Sequence, residues 1–304
     1  MKRITLLIFL IAASSQCYSQ VYYVLERDVV AKKTIGSYDY AITYKYSFAK
    51  DTISKNRYYD MYRLEIGKSF SRYYSLYADK CDSIMYKARI DKNNKRDGIR
   101  TSAWMHGGQQ ANYEDFYLNY PQNGELLCRT AIINTEYEYS EPMNNFKWTL
   151  IQDSTANILG YNCKIAETSF RGRKYRVYFS TEIPISSGPW KFYGLPGLIL
   201  KVKELSGLFE WDAVGISKAQ GNIYIFDSKK RATPNIPYMH IKKITRMQLR
   251  KMQKMIWDDP IGLSEEHGQI MTGIIDIKTH KRRPFTKEDK EEFRSPYIPP
   301  LELD

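Results

Sequence analysis

Apolar and polar residues alternate along much of the chain, most regularly in YDYAITYKYSF (38–48). One side of an extended chain would carry Tyr38, Tyr40, Ile42, Tyr44, Tyr46 and Phe48. The other side would carry Asp39, Thr43, Lys45 and Ser47. This period of two predicts a β-strand, and YYDMYRLEIG (58–67) predicts the next one. Tyrosine suits a sheet because its ring packs on the pleated surface while its hydroxyl can reach a polar partner.

Further strand patterns follow from residue 114 onwards. EDFYLNY and ELLCRTAII flank PQNG (121–124), whose Pro, Asn and Gly are typical of a hairpin turn. The later strands are NTEYEYSEP, FKWTLIQD, ILGYNCKIAET, RKYRVYFST, GLILKVKE and LFEWDAVGI. No crossover helices separate these strands, so they should pair as antiparallel neighbours. The sequence therefore predicts a mainly β (α+β) fold: an antiparallel, curved, Tyr-rich meander sheet with a few covering helices.

Helical patterns are few. Residues 82–89 predict a first helix, and KNNKRDG (92–98) predicts a polar loop. The sequence KITRMQLRKMQKMIWDDP predicts a second helix, with Thr245 and Gln248 as a capping box, Ile244 and Leu249 as a hydrophobic staple, and Pro260 ending it. Its apolar stripe consists of Leu249, Met252, Met255 and Ile256. A methionine stripe at helical spacing is typical of core packing, so this helix should cover one face of the sheet.

The first residues have the pattern of a secretory signal. Lys2 and Arg3 precede an apolar run, 4–13, that is too short to span a bilayer and is followed by small residues. Cleavage after Ser19 is favoured over lipidation of Cys17, since a lipoprotein signal needs a small residue directly before its cysteine. We therefore expect an exported protein, periplasmic or associated with the outer membrane, with no transmembrane segment in the mature chain.

Three regions follow from these patterns. Residues 1–19 form the signal, 20–228 an antiparallel β domain, and 229–304 a helical and extended basic region packed on the sheet. About 285 residues are enough for one large domain, or for one domain with an appendage.

The charge of the chain is strongly basic, with 46 Lys and Arg against 34 Asp and Glu. Removing Lys2 and Arg3 leaves 44 against 34, a net charge of +10. In an exported protein this excess points away from nucleic acid, either to anionic envelope surfaces or simply to solubility, which is the favoured interpretation.

The cysteines left after signal cleavage are Cys81, Cys128 and Cys163. Export exposes them to oxidation, so one disulfide and one buried thiol is an expectation that their spacing cannot assign to a pair. Cys163 is predicted to lie in a core strand with Ile165 on the same face. If Cys163 is bonded, Cys128 is the favoured partner, because both belong to the central β region.

Catalytic signatures are missing from the sequence. It contains no G-x-S-x-G, H-E-x-x-H, Walker loop or G-x-G-x-x-G pattern. Two weak candidates remain: Met239-His240 for copper, and an acidic group for a metal or hydrolytic site. That acidic group consists of Asp258, Asp259, Glu265, Glu266 and His267. Ordinary packing and a solvated surface are the favoured interpretations, so no catalytic residue, cofactor or metal is predicted.

The least polar stretch of the chain, EIPISSGPWKFYGLPGLILKV (182–202), contains residues that break regular structure. Gly188-Pro189 and Pro196-Gly197 each predict a turn, and the second fits a type II turn in which Gly197 has positive φ. Leu198 then begins a core strand. Gly194 and Gly197 would allow another group to approach the backbone, either a neighbouring element or a ligand.

This stretch and the strand before it resemble the signature region of the GLPGLI family of bacterial secreted proteins. The matching residues are Gly160, Tyr161, Cys163, Lys164, Ala166, Glu182, Ile183, Pro184, Gly188, Pro189, Phe192, Gly194, Leu195, Pro196, Gly197, Leu198 and Ile199. The resemblance implies export and a mostly antiparallel β fold, but no established activity and no catalytic residues. We expect a structural role for Gly188, Pro189 and the GLPGLI motif (194–199).

The leading hypothesis is a non-catalytic cell-envelope protein that binds an apolar ligand, a lipid or an envelope partner. A Tyr-lined curved sheet with a helix across its concave face is similar, at the level of fold, to periplasmic lipoprotein and lipid carriers. The alternatives are a metal-dependent hydrolase using the acidic group of 258–267, and an accessory to an outer-membrane receptor.

Overall fold

The protein is described by a computed structural model over residues 30–49, 57–80, 83, 114–132, 135–231, 241–259, 274–275, 282–283, 286 and 300–303. Residues 76–80 are helical. A helix also spans Arg246–Asp258. The strands are β1 Val30–Tyr38, β2 Tyr40–Ala49, β3 Arg57–Ile66, β4 Ser71–Ser75, β5 Asp115–Leu118, β6 Glu125–Ile132, β7 Thr135–Pro142, β8 Thr149–Ile158, β9 Tyr161–Phe170, β10 Arg173–Ser180, β11 Leu198–Glu204, β12 Phe209–Ser217, β13 Gly221–Arg231, β14 Lys242–Lys243, β15 Ile274–Ile275 and β16 Arg282–Arg283.

Twelve of the strands form one sheet, in the order β14-β7-β6-β5-β4-β3-β2-β12-β11-β10-β9-β8. Strands β2 to β7 and strands β8 to β12 each lie in sequence order, and the two series join where β2 pairs with β12. Neighbours are antiparallel except for β14, which is parallel to β7. The predicted mainly β, antiparallel fold is confirmed.

The connection between β7 and β8 requires the sheet to curve. These strands are consecutive in the chain but lie near opposite ends of the sheet. Ten strand spacings of about 4.8 Å would separate them by roughly 48 Å in a flat sheet. The chain from Pro142 to Thr149 can span only about 25 Å. The curvature brings the two ends together, and Arg171 Nη2, beyond β9, lies 2.8 Å from Glu141 Oε2 of β7.

Strand β2 shows the burial that its sequence predicts. Thr43 and Ser47 are partly buried and Lys45 is exposed, while the apolar side is buried: Ile42, Tyr44, Tyr46 and Phe48. The predicted strand 38–48 is nevertheless interrupted. Tyr38 ends β1, where it pairs with Gly221 of β13, and Asp39 is a bend between the two strands.

Aromatic rings fill the core on this face of the sheet. Tyr46 stacks on Trp211 with ring centroids 4.8 Å apart, and Tyr62 stacks on Tyr73 at 4.5 Å. Trp190, from the loop before β11, stacks on Trp211 at 6.1 Å. Offset and edge contacts of this kind stabilise beyond the area that they bury.

The two-stranded ladder β1-β13 packs against the other face. The Tyr117 hydroxyl donates to the Tyr224 carbonyl at 3.1 Å, and Arg129 Nη1 donates to the Phe226 carbonyl at 2.6 Å. Ile225 packs with Tyr117 and Leu127 in a second, smaller core. The ladder therefore covers the sheet near β5 and β6. Because β13 runs from Gly221 to Arg231, strand structure continues past residue 228.

The Arg246–Asp258 helix has the predicted capping box. Thr245 Oγ1 accepts from the Gln248 backbone at 3.1 Å, and Gln248 Oε1 accepts from the Thr245 backbone at 2.8 Å. Leu249 is buried in the main core, and the residues packed against that core include Ile244, Met252 and Met255. The predicted helix and its core stripe are confirmed, while the Ile256 side chain and Pro260 lie outside what is described.

The predicted hairpin at 121–124 is also confirmed, since β5 and β6 pair antiparallel across it. Ser83 is helical, but the rest of the predicted helix 82–89, the loop 92–98 and the signal 1–19 lie outside the described residues. Within the described ranges, no helix has the length and apolar character needed to cross a membrane.

Candidate functional site

The stretch between β10 and β11, residues 181–197, has no regular secondary structure and packs into the aromatic core. Phe192 lies 4.9 Å from Tyr175 and 6.0 Å from Trp211, measured between ring centroids. The Leu198 amide donates to the Ile183 carbonyl at 3.0 Å, so the stretch folds back on itself where β11 begins. We call residues 181–197 the signature loop.

The glycines of the signature loop act mainly through close packing. Gly197 does not have positive φ, so the predicted type II turn is wrong at this position. A Cβ on Gly197 would lie 2.1 Å from the Ser180 carbonyl oxygen, because the loop passes against the end of β10. A Cβ on Gly188 would lie 2.9 Å from the Cβ of Ile199. The glycine of the loop that does have positive φ is Gly194, with a φ of 96°.

Lys191 is the only charged residue between Glu182 and Lys201, and its side chain is 1% exposed. Its Nζ donates to Glu141 Oε1 and to Glu302 Oε1, each at 2.7 Å. A buried ammonium is costly unless its charge and its donors are satisfied, and two carboxylates satisfy both.

Two arginines complete this group. Arg171 lies 2.8 Å from Glu141 and 3.5 Å from Glu302, and Arg246 lies 2.9 Å from Glu302 and 3.6 Å from Glu141. Each of the three cations therefore meets both carboxylates. We call these five residues the Lys191 cluster. Burial pushes the pKa of Glu302 upward, but Lys191, Arg171 and Arg246 outweigh burial and hold that pKa below its ordinary value.

Aromatic rings surround the ammonium of Lys191. The distances from Nζ to the ring centroids are 5.4 Å for Trp190, 5.5 Å for Tyr139 and 5.8 Å for Phe116. Ring faces attract a cation and exclude water, which strengthens each ion pair of the cluster.

Glu302 reaches the cluster on a short segment, residues 300–303, that is bound through its backbone. Arg173 Nη2 donates to the Pro300 carbonyl at 2.6 Å, and the Tyr175 hydroxyl donates to the Leu301 carbonyl at 3.1 Å. The Leu303 amide donates to the Arg171 carbonyl at 2.9 Å. Backbone hydrogen bonds on both sides of Glu302 thus fix the direction of its side chain.

The Lys191 cluster was not predicted from the amino-acid sequence. Glu141, Arg171, Arg246 and Glu302 come from β7, the β9–β10 turn, the first helical residue and the 300–303 segment, and no motif joins them. One signal was visible, namely a single lysine within the least polar stretch of the chain.

The predicted acidic group is not assembled within the described residues. Asp258 is exposed and pairs with Lys254 at 2.6 Å, and Asp259 is exposed at the end of the helix. Glu265, Glu266, His267 and Met239-His240 lie outside the described residues. Where the chain is described, no three His, Cys, Asp or Glu side chains are placed to hold a metal ion.

Cys128 and Cys163 are both buried free thiols, so the favoured disulfide between them is wrong. Cys128 lies on β6 and Cys163 on β9, strands that do not pair with each other. Cys163 and Ile165 are buried in the same strand, as predicted. Burial raises the pKa of Cys163 to about 11 and that of Cys128 well above its ordinary value. Cys81 lies outside the described residues.

Both buried thiols should therefore resist alkylation in the folded protein. The reactive species is the thiolate, and burial keeps both groups protonated. We expect iodoacetamide at neutral pH to modify Cys128 and Cys163 only after the protein is unfolded under non-reducing conditions. Peptide mass spectrometry assigns the label to each cysteine. Equal labelling rates in folded and unfolded protein would contradict the burial, and a failure to label after unfolding would restore the disulfide.

One part of the chain is similar to a known protein family. Residues 121–201 match the family model described as "Protein of unknown function (Porph_ging)". The matched region contains the signature loop, Glu141, Arg171 and Lys191, whereas Arg246 and Glu302 lie beyond the match. No curated protein matches the chain.

Two solved structures of PNGF-II, in space groups P21 and C2, are similar to this chain at 18% sequence identity and a TM-score of 0.40. The similarity covers 71% of this chain and 32% of PNGF-II in the first structure, and 75% and 33% in the second. The chain thus spans about a third of the PNGF-II length, and a likeness at this level does not indicate a shared function.

Proposed function

We propose that this chain is an exported, non-catalytic cell-envelope protein that binds an anionic group of a partner at the Lys191 cluster. One observation carries the proposal. Three cations from three separate elements converge on the carboxylate of Glu302, which is supplied by a short segment held largely through its backbone. Such a site requires an anion. In the structure this anion is the Glu302 carboxylate, and a segment of a partner could take the place of residues 300–303.

The charges of the cluster support this function. Lys191, Arg171 and Arg246 each lie against both Glu141 and Glu302, so removing Glu302 takes one carboxylate from all three cations. Glu114 also interacts electrostatically with Lys191. Removing the partner of a buried charge is costly, so the vacated site would attract an anion. The guanidinium groups of Arg171 and Arg246 also have a planar arrangement of donors that matches a carboxylate or a phosphate group.

The aromatic core indicates which class of ligand fits the protein. Burial raises the pKa values of Tyr46, Tyr62 and Tyr73 well above the ordinary tyrosine value. The rings also pack against each other where an apolar ligand was expected. This packing favours an anionic ligand at the cluster over an apolar ligand between the rings. Export rests on the sequence of residues 1–19.

Chemical rescue tests the proposal. Glu302→Ala should lower the free energy of unfolding by about 1–3 kcal/mol, because buried cations lose a charged hydrogen-bond partner. Sodium propionate, which resembles the removed side chain, should then raise the melting temperature of the variant saturably and by more than it does for wild type.

Sodium chloride at equal ionic strength controls for screening. The double variant Glu302→Ala/Arg246→Met is the matched control, since it lacks one of the converging cations and should respond less. An equal response of wild type and Glu302→Ala to propionate would contradict an anion site.

A further inference from the structure

We infer that the anionic ligand is an extended acidic peptide segment of a protein partner, and that residues 300–303 occupy its site as an internal competitor. The inference rests on the proposed function and names the ligand class and the regulation of the same site.

The first argument is that the site binds backbone as well as charge. Two carbonyls of the segment, at Pro300 and Leu301, accept hydrogen bonds from side chains, and the Leu303 amide donates to a carbonyl. A free phosphate or a lipid headgroup could meet the cations but could not make this series of contacts. Main-chain hydrogen bonds with a pocket for one side chain are a recurring mode of peptide recognition.

The second argument concerns the residues beside Glu302. Leu301 packs against the main core, so an apolar side chain precedes the acidic one. A Cβ on Gly172 would lie 2.8 Å from the Cβ of Leu303, so this glycine makes room for the residue that follows. The side chain of Leu303 remains largely exposed. The site therefore selects an apolar residue, then an acidic one, with weaker selection at the next position.

The third argument concerns regulation. A segment of the same chain is present at an effective concentration of up to the millimolar range, so an external peptide must compete with it. Removing the Glu302 carboxylate leaves the backbone contacts but abolishes the ion pairs. A chain that lacks the Glu302 carboxylate should therefore bind an external peptide more tightly than wild type does.

A fluorescent peptide with the sequence of residues 297–304, YIPPLELD, provides the probe. We expect fluorescence anisotropy to show binding to full-length Glu302→Ala at least tenfold tighter than to wild type, and tighter still to a chain ending at residue 299. The same peptide with glutamine in place of its glutamate at 302 should bind at least tenfold more weakly. Adding Arg246→Met to Glu302→Ala should likewise weaken binding of the glutamate peptide.

Equal affinity for the two peptides, or no binding to Glu302→Ala, would overturn the inference. If the shortened chain fails to fold, full-length Glu302→Ala decides. Propionate rescue without peptide binding would defeat this inference and leave the proposed function standing, whereas failure of both experiments would defeat both.

Discussion

Gly197→Ala is expected to lower the free energy of unfolding by about 4 kcal/mol or more, the size of effect that marks an exceptional substitution. The added Cβ would lie 2.1 Å from the Ser180 carbonyl oxygen, 2.6 Å from the Ser180 carbonyl carbon and 3.0 Å from the Thr181 Cα. All three atoms belong to the backbone, so no side-chain rotation relieves the overlap. Ser180 also pairs with Leu198, so moving it would disturb the start of the β10–β11 ladder.

Gly160→Ala is the matched control. Gly160 has a φ of 86°, and a Cβ there would have no neighbour within 4 Å, so that variant carries only the cost of the backbone conformation. That cost is about 1–2 kcal/mol. Urea unfolding of both variants measures the two costs separately: the cost of close packing at Gly197 and the cost of positive φ at Gly160. If Gly197→Ala were no less stable than Gly160→Ala, the close approach to Ser180 would not limit the fold.

Lys191→Met should lower the free energy of unfolding by about 3–5 kcal/mol, as expected when one partner of a buried ion pair is removed. The substitution keeps an apolar chain of similar length but leaves Glu141 and Glu302 with the two arginines alone. Urea unfolding at neutral pH measures the effect.

Two further variants test this explanation. Arg176→Met removes one partner of an exposed pair, in which Arg176 and Glu167 are 43% and 34% exposed, and should cost no more than about 1 kcal/mol. Lys191→Met/Glu302→Gln should lose less stability than the sum of the losses in the two single variants, because both single variants remove the Lys191–Glu302 ion pair. A double variant that is less stable than additivity predicts would contradict the coupling.

The Lys191 cluster also makes the free energy of unfolding depend on pH. The pKa of Glu302 is lower in the folded protein than in the unfolded chain, so Glu302 contributes stability above the unfolded pKa. That contribution is lost as the pH falls through the folded pKa. In Lys191→Met the largest attraction that lowers this pKa is gone, so Glu302 should contribute less stability above the unfolded pKa. Urea unfolding at several pH values should therefore show a smaller loss of stability in acid for Lys191→Met than for wild type.

The local elements of this fold could be predicted from the amino-acid sequence alone. Alternation predicted which side of β2 is buried, because successive side chains of a strand point to opposite faces. The helix at Arg246–Asp258 and its capping box were predicted because Thr245 and Gln248 are only three residues apart. These signals involve neighbours along the chain, and their geometry follows from the backbone alone.

The way in which these elements combine depends on contacts between distant parts of the chain. The β2–β12 pairing joins residues far apart in the chain, and Lys191 meets Glu141 and Glu302 across 50 and 111 residues. Gly197 is required because the signature loop crosses Ser180, a contact that its own turn sequence does not specify. Cys128 and Cys163 share a predicted β region but lie on strands that do not pair. Strand order, register and sheet curvature place such groups in contact or keep them apart, and these depend on the packing of the whole chain.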